Sequence, residues 1–104
     1  GKNKNPISKR GTIFMRAIIT VAGKDRVGII ASVTHTLAER NVNVLDITQT
    51  ILPPDFFTMV MLVDTSACTV SFGDLADQMA ALGKDMGMDI RVQREDTFQA
   101  MHRI

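Results

Sequence analysis

The chain has 104 residues, 45% apolar and 22% charged, with a net charge of +1, which is material for one small domain that buries only roughly 60–68% of its unfolded surface and gains by pairing with a second copy. No apolar run approaches the ~20 residues of a membrane span, and the lack of Trp and Tyr leaves poor stacking platforms for single-stranded nucleic acid. A single cysteine, Cys68, excludes a disulfide framework or a multi-cysteine metal site within one chain and fits a reducing, cytoplasmic compartment.

Residues 1–14 carry Lys2, Lys4, Lys9 and Arg10 and no acid, which leaves eight cations against eleven acids, a net −3, from Met15 onward. Such a body is not drawn to nucleic acid or to an anionic membrane by bulk charge. The 1–14 segment has no periodicity and is expected to be a flexible or appended arm that adds little to the fold. Four scattered cations are too few for a basic nucleic-acid arm. Met15 opens the first strand signal and is expected to be the natural start.

Arg16 to Val21 is β-branched and apolar up to Ala22-Gly23, and reads as a buried strand. From Gly28 the period changes: Ile29, Val33 and Leu37 recur at helical spacing beside Ile30, predicting a helix to about Arg40. Asn41 then stands where a left-handed residue closes a helix. Asn43 to Leu52 alternates, with Leu45, Ile47 and Ile51 on one face and Asp46, Thr48 and Thr50 on the other, a half-buried strand. Pro53-Pro54-Asp55 breaks it. Phe56 to Val63 is the third strand, antiparallel to the second across this short turn, with Phe57, Met59, Met61 and Val63 sharing a face.

Ser71 and Asp74 resemble a capping box for a second helix carrying Leu75, Met79, Leu82 and Met86, which Gly83 and Gly87 weaken and end near Met88. Asp89 to Arg94 is the fourth strand, and Asp96 can cap a short last helix bearing Phe98 and Met101. The order βαββαβ predicts an α+β, ferredoxin-like sandwich, a four-stranded antiparallel sheet of order 4-1-3-2 with two helices on one face. The domain is expected to run over residues 15–104 as one unit.

Signals for catalysis are thin. His35 falls on the solvent side of the first helix, His102 lies two residues from the end, and Cys68 has no charged neighbour within three positions. Core filling is the expected role of the seven methionines. The more specific feature is the turn Gly23-Lys24-Asp25-Arg26-Val27-Gly28, where a strand opens into a helix and exposes backbone N–H groups at a positive helix end. It suits a carboxylate. The plainer reading is that Asp25 caps the helix and Gly28 allows close helix–sheet packing. The three-glycine dinucleotide spacing is absent.

Asp25-Arg26-Val27-Gly28-Ile29-Ile30, the helix end Leu37-Ala38-Glu39-Arg40-Asn41 and the following Val42-Asn43-Val44 closely resemble the ACT domain over residues 15–96. Ile18-Ile19-Thr20-Val21, Asp46-Ile47-Thr48-Gln49-Thr50 and Phe98-Gln99-Ala100-Met101 resemble the free-standing UPF0237 group. The resemblance implies a small βαββαβ module that binds amino acids and regulates metabolic enzymes, with no cofactor. It implies ligand contacts from Asp25, Val27, Gly28 and Ile29 in the turn, and from Asn41 and Asn43 before and at the start of the second strand. Val27 stands where many amino-acid-binding members have Pro, and Asp25 where a neutral Asn is frequent. Asp25 would attract an α-ammonium and repel a carboxylate.

The leading expectation is a non-catalytic, homodimeric regulatory or sensor module that binds an amino acid or similar metabolite where the 23–28 turn meets the start of the second strand, at or near the dimer interface, and acts in trans on a metabolic enzyme. The alternative is a ligand-free assembly module. An acylphosphatase-like enzyme shares the topology and uses a first-turn Arg, but the loop around Arg26 lacks its phosphate-binding pattern. A metal carrier would need two turn cysteines. Dimerisation is expected because Ile18, Val60 and Leu62 lie on the open sheet face and the edge strand 43–52 has no Pro or Lys to guard it. Both edge-to-edge and face-to-face pairing are open at this point.

Overall fold

The computed structural model describes residues 15–95. The arm 1–14, the helix expected after Asp96, and His102 lie outside the described residues. The elements are β1 (Arg16–Lys24), α1 (Ile29–Glu39), β2 (Asn43–Leu52), β3 (Phe56–Asp64), α2 (Phe72–Met86) and β4 (Met88–Arg94). They form one four-stranded sheet of order β2-β3-β1-β4 with every pair antiparallel, the βαββαβ arrangement read from the sequence.

The alternation in β3 is strict. Phe57, Met59, Met61 and Val63 are each at most 2% exposed and meet Ile19 and Val21 of β1, Ile29, Val33 and Leu37 of α1, and Leu75 and Met79 of α2 in a single core. Both helices therefore lie on one face of the sheet, each burying the stripe its periodicity predicts. Among the described residues no helix is long and apolar enough to cross a membrane.

The helix ends follow their local chemistry. Asn41 takes φ 61°, and the Asn41 and Val42 N–H groups donate to the Ala38 and Leu37 carbonyls at 3.0 Å each, a Schellman closure with Asn in the left-handed position. Ser71 Oγ accepts from the Asp74 N–H at 3.1 Å, so it caps α2 as the sequence predicts. Gly83 does not end the helix. It lies inside α2 where a Cβ would stand 2.6 Å from the Met88 carbonyl oxygen, so the glycine is there to let α2 close on β4.

β2 departs most from expectation. Only Val44 is half-buried, and every other residue of the strand is exposed. Two causes combine. The register slips between Val44 and Asp46, a bulge at Leu45 that brings Val44 opposite Val63 and onto the same face as Ile47 and Ile51. Moreover, β2 is the outer strand of the sheet, with β3 as its one strand neighbour within the chain. The apolar residues Leu45, Ile47, Ile51 and Leu52 remain 39–47% exposed along this edge. On the open face, Ile18 is 9% and Val60 42% exposed, and Leu62 is half-buried.

Candidate functional site

The β1–α1 turn is built from both sides. The Asp25 N–H donates to the Asp55 carbonyl at 2.6 Å, and Lys24 Nζ lies 3.9 Å from Asp55 Oδ2, so the turn is tied to the β2–β3 connection. Arg26 Nη1 donates to the Met86 carbonyl at 2.9 Å, placing a guanidinium on the negative end of α2. Gly28 is the N-cap of α1 with φ 91°, and no side chain caps the helix. Its carbonyl accepts the Ser32 N–H at 2.9 Å, the first turn of the helix.

Two parts of the plainer reading thus change. Asp25 does not cap α1, and its carboxylate is left at the surface. A Cβ on Gly28 would meet nothing within 4 Å, so the position demands glycine for its positive φ and not for close packing.

Between this turn and the far half of β2 lies a cleft of about 270 Å³. Phe57 forms its apolar floor, Ile29 and Ile30 of α1 one wall, and Gln49 and Ile51 of β2 the other, with Asp25 and Arg26 at the rim. The arrangement offers one carboxylate, one guanidinium, one amide and an uncapped helix start around an apolar base. A zwitterion with an apolar portion matches that set. The volume falls below the ~300–1,000 Å³ of drug-sized ligand sites, which favours a small metabolite over a nucleotide cofactor.

A family model described as ACT domain matches residues 15–93. The chain belongs to the ACT domain family. It is 51% identical over 88 residues to a UPF0237 protein of Neisseria meningitidis, covering 85% of this chain and 97% of that one. A UPF0237 protein of Methanopyrus kandleri is 49% identical over 89 residues, covering 86% and 98%. Among solved structures, an ACT domain protein from Streptococcus pneumoniae aligns with a TM-score of 0.71 at 38% identity, covering 81% of this chain and 93% of that one. A formyltetrahydrofolate deformylase from Pseudomonas syringae aligns over 76% of this chain and 27% of its own length, with a TM-score of 0.70 at 22% identity, and shares the fold alone. ACT domains are in general regulatory modules that bind small molecules.

In this ACT domain the residues singled out from sequence fall into two groups. Asp25, Gly28 and Ile29 line the cleft, whereas Val27 projects into solvent at 98% exposure and takes no part in it. Asn41 and Asn43 stand at the other end of α1, which is about 16 Å long at 1.5 Å per residue. The Asn41 amide donates to the Ala67 carbonyl at 3.1 Å, inside the chain. Asn43 is exposed and pairs in register with Asp64, while Leu52, at the opposite end of β2, pairs with Phe56 beside the turn. The expected meeting of the 23–28 turn with the start of β2 therefore does not occur within one chain. The physical reason is the crossover: β1 and β2 run parallel, so α1 begins where β2 ends.

Sequence reasoning misses Arg26, Ile30, Ala31, Gln49, Ile51 and Phe57 as cleft residues, and Gln49 is the polar one among those on the sheet. Its signal is present, since it interrupts the apolar positions Ile47 and Ile51 with an amide on the same face. His35 lies exposed on α1 with Nε2 3.3 Å from Glu39 Oε2, an ordinary surface pair. A larger cavity of about 370 Å³ opens at the far end of the sheet, lined by Cys68, Val70 and Leu75 with Arg16 and Arg94 at its rim. Arg16 is engaged there by Glu95 at 2.8 Å.

Proposed function

We propose that the chain is a non-catalytic regulatory or sensor module that pairs with a second copy along β2, binds an amino acid or similar small metabolite in the α1 cleft, and acts in trans on a metabolic enzyme. The observation that carries this reading is the cleft itself. An uncapped helix start, Asp25 and Gln49 surround an apolar floor, and its outer wall is an unguarded edge strand. Asp25 suits the α-ammonium, and the free N–H groups of the first turn suit the α-carboxylate. Engagement of Arg26 by the Met86 carbonyl speaks against an acylphosphatase-like use of that side chain.

Edge pairing fits better than pairing through the open face. β2 exposes Leu45, Ile47, Ile51 and Leu52 along one edge, whereas on the open face the exposed Leu52, Phe56 and Val60 are interspersed with Asp46, Thr48, Thr50 and Thr58. Antiparallel pairing about the middle of β2 sets the first residue of one strand beside the last of the other. That is the one arrangement of β2 edges in which the start of β2, with Asn43, comes to the level of the turn that carries Asp25.

A thermal-shift screen over the common amino acids tests the reading. A ligand at a hundredfold excess over its Kd stabilises by ~2.7 kcal/mol, which for a domain of this size raises Tm by roughly 10 °C or more. At least one amino acid is expected to do so. A flat screen on a well-folded dimer would favour the ligand-free assembly module.

A further inference from the structure

The walls of the cleft differ sharply from its rim. The charged groups, Asp25 and Arg26, both sit on the turn, at the end where a ligand's head group would lie. Beyond them the surface is Ile30, Ile51 and Phe57, with Gln49 as the one polar side chain on the β2 wall. Phe57 is 2% exposed and fixed in the core, while Ile30 and Ile51 are 36% and 45% exposed and apolar. A side chain lying along this surface removes apolar area from water at both partners, and each buried methylene is worth about a fourfold gain in affinity. A charged side chain lying along Ile30, Ile51 and Phe57 would lose hydration with the Gln49 amide as its one polar neighbour on that wall, since Asp25 is opposite the ammonium and the Arg26 guanidinium stays at the rim, held by the Met86 carbonyl.

Resting on the amino-acid reading of this cleft, we propose that its ligand is an amino acid with an aliphatic side chain, from valine to methionine in size, and that Ile30 and Ile51 set this preference. Small polar, acidic and basic amino acids are discriminated against by the same surface. Glycine and alanine are weak ligands because they leave the apolar wall uncovered.

Calorimetric titration of the full chain with leucine, methionine, alanine, serine, aspartate and lysine tests this. Leucine or methionine is expected to bind at least ~10-fold more tightly than alanine, about what two buried methylenes provide, and aspartate and lysine more weakly still. Ile51→Ser is expected to lower leucine affinity about tenfold while changing alanine affinity less than threefold. Ile51 lies on the pairing edge, so Ile30→Ser, on α1, serves as a second variant with the same expected pattern and an unchanged dimer mass. Serine, aspartate or lysine binding as tightly as leucine would overturn the aliphatic preference and leave the amino-acid reading standing. Equal losses of alanine and leucine affinity in both variants would overturn that preference in the same way. If none of these amino acids binds to the folded protein, both readings fall.

Discussion

Gly83→Val is expected to destabilise the domain by ~3 kcal/mol or more, a large share of the ~5–15 kcal/mol that holds a domain of this kind together. A Cβ at this position would lie 2.6 Å from the Met88 carbonyl oxygen and 2.9 Å from Ile90 Cγ1. The first is backbone of β4 and cannot step aside, so α2 must lift away from the strand it covers. Overpacking of this sort costs ~1–3 kcal/mol, and more where backbone is the obstacle. The sign is the informative part. Glycine to alanine inside a helix normally stabilises by up to ~1 kcal/mol, yet Gly83→Ala is expected to destabilise. Gly73→Ala, in the first turn of the same helix with nothing within 4 Å of its Cβ, is expected to be neutral or stabilising. Urea unfolding of the three variants checks the order.

Ile47→Lys is expected to convert a dimer into a monomer. Ile47 sits near the middle of β2, 39% exposed, on the face shared with Met61. In an antiparallel pair centred on this strand, two copies of the new cation would lie on neighbouring strands close to the symmetry axis, a repulsive arrangement that also removes apolar cover. Sedimentation at tens of micromolar protein should give twice the chain mass for the wild type and a single chain for the variant. Val60→Lys places the same charge on the open sheet face and should leave the mass doubled. The reverse outcome, with Val60→Lys monomeric and Ile47→Lys dimeric, would move the interface to the open face.

The elements whose burial is decided by local alternation are legible in the sequence. Phe57, Met59, Met61 and Val63 declare their face by period alone, and Ile29, Val33 and Leu37 do so for α1. Asn41 and Ser71 announce helix ends because each has a specific backbone or side-chain task there. Gly83 reads as a helix breaker because propensity is a local property, while its function is a contact with β4. The bulge at Leu45 is invisible for a similar reason: either register of β2 satisfies the alternation, and Val63 decides between them. The candidate site is half legible. The turn holding Asp25 and Gly28 stands out by its composition. Asn43 does not belong to the same place within one chain, and the predicted topology already separates them, since a parallel β1–β2 pair joined by α1 puts the start of one strand and the end of the other at opposite poles. Gln49 is masked by its surface-strand surroundings and gains meaning only when α1 is laid beside it.

An amino acid bound at the Asp25 end of α1 is most directly tested by a calorimetric titration of wild type and Asp25→Ala with the amino acid that gives the largest thermal shift. A hydrogen bond to a charged group contributes ~1.5–3 kcal/mol, so the variant is expected to bind roughly 10- to 100-fold more weakly while keeping its dimer mass and its Tm without ligand. Equal affinity in the two proteins would place the ligand elsewhere and contradict this assignment of the site.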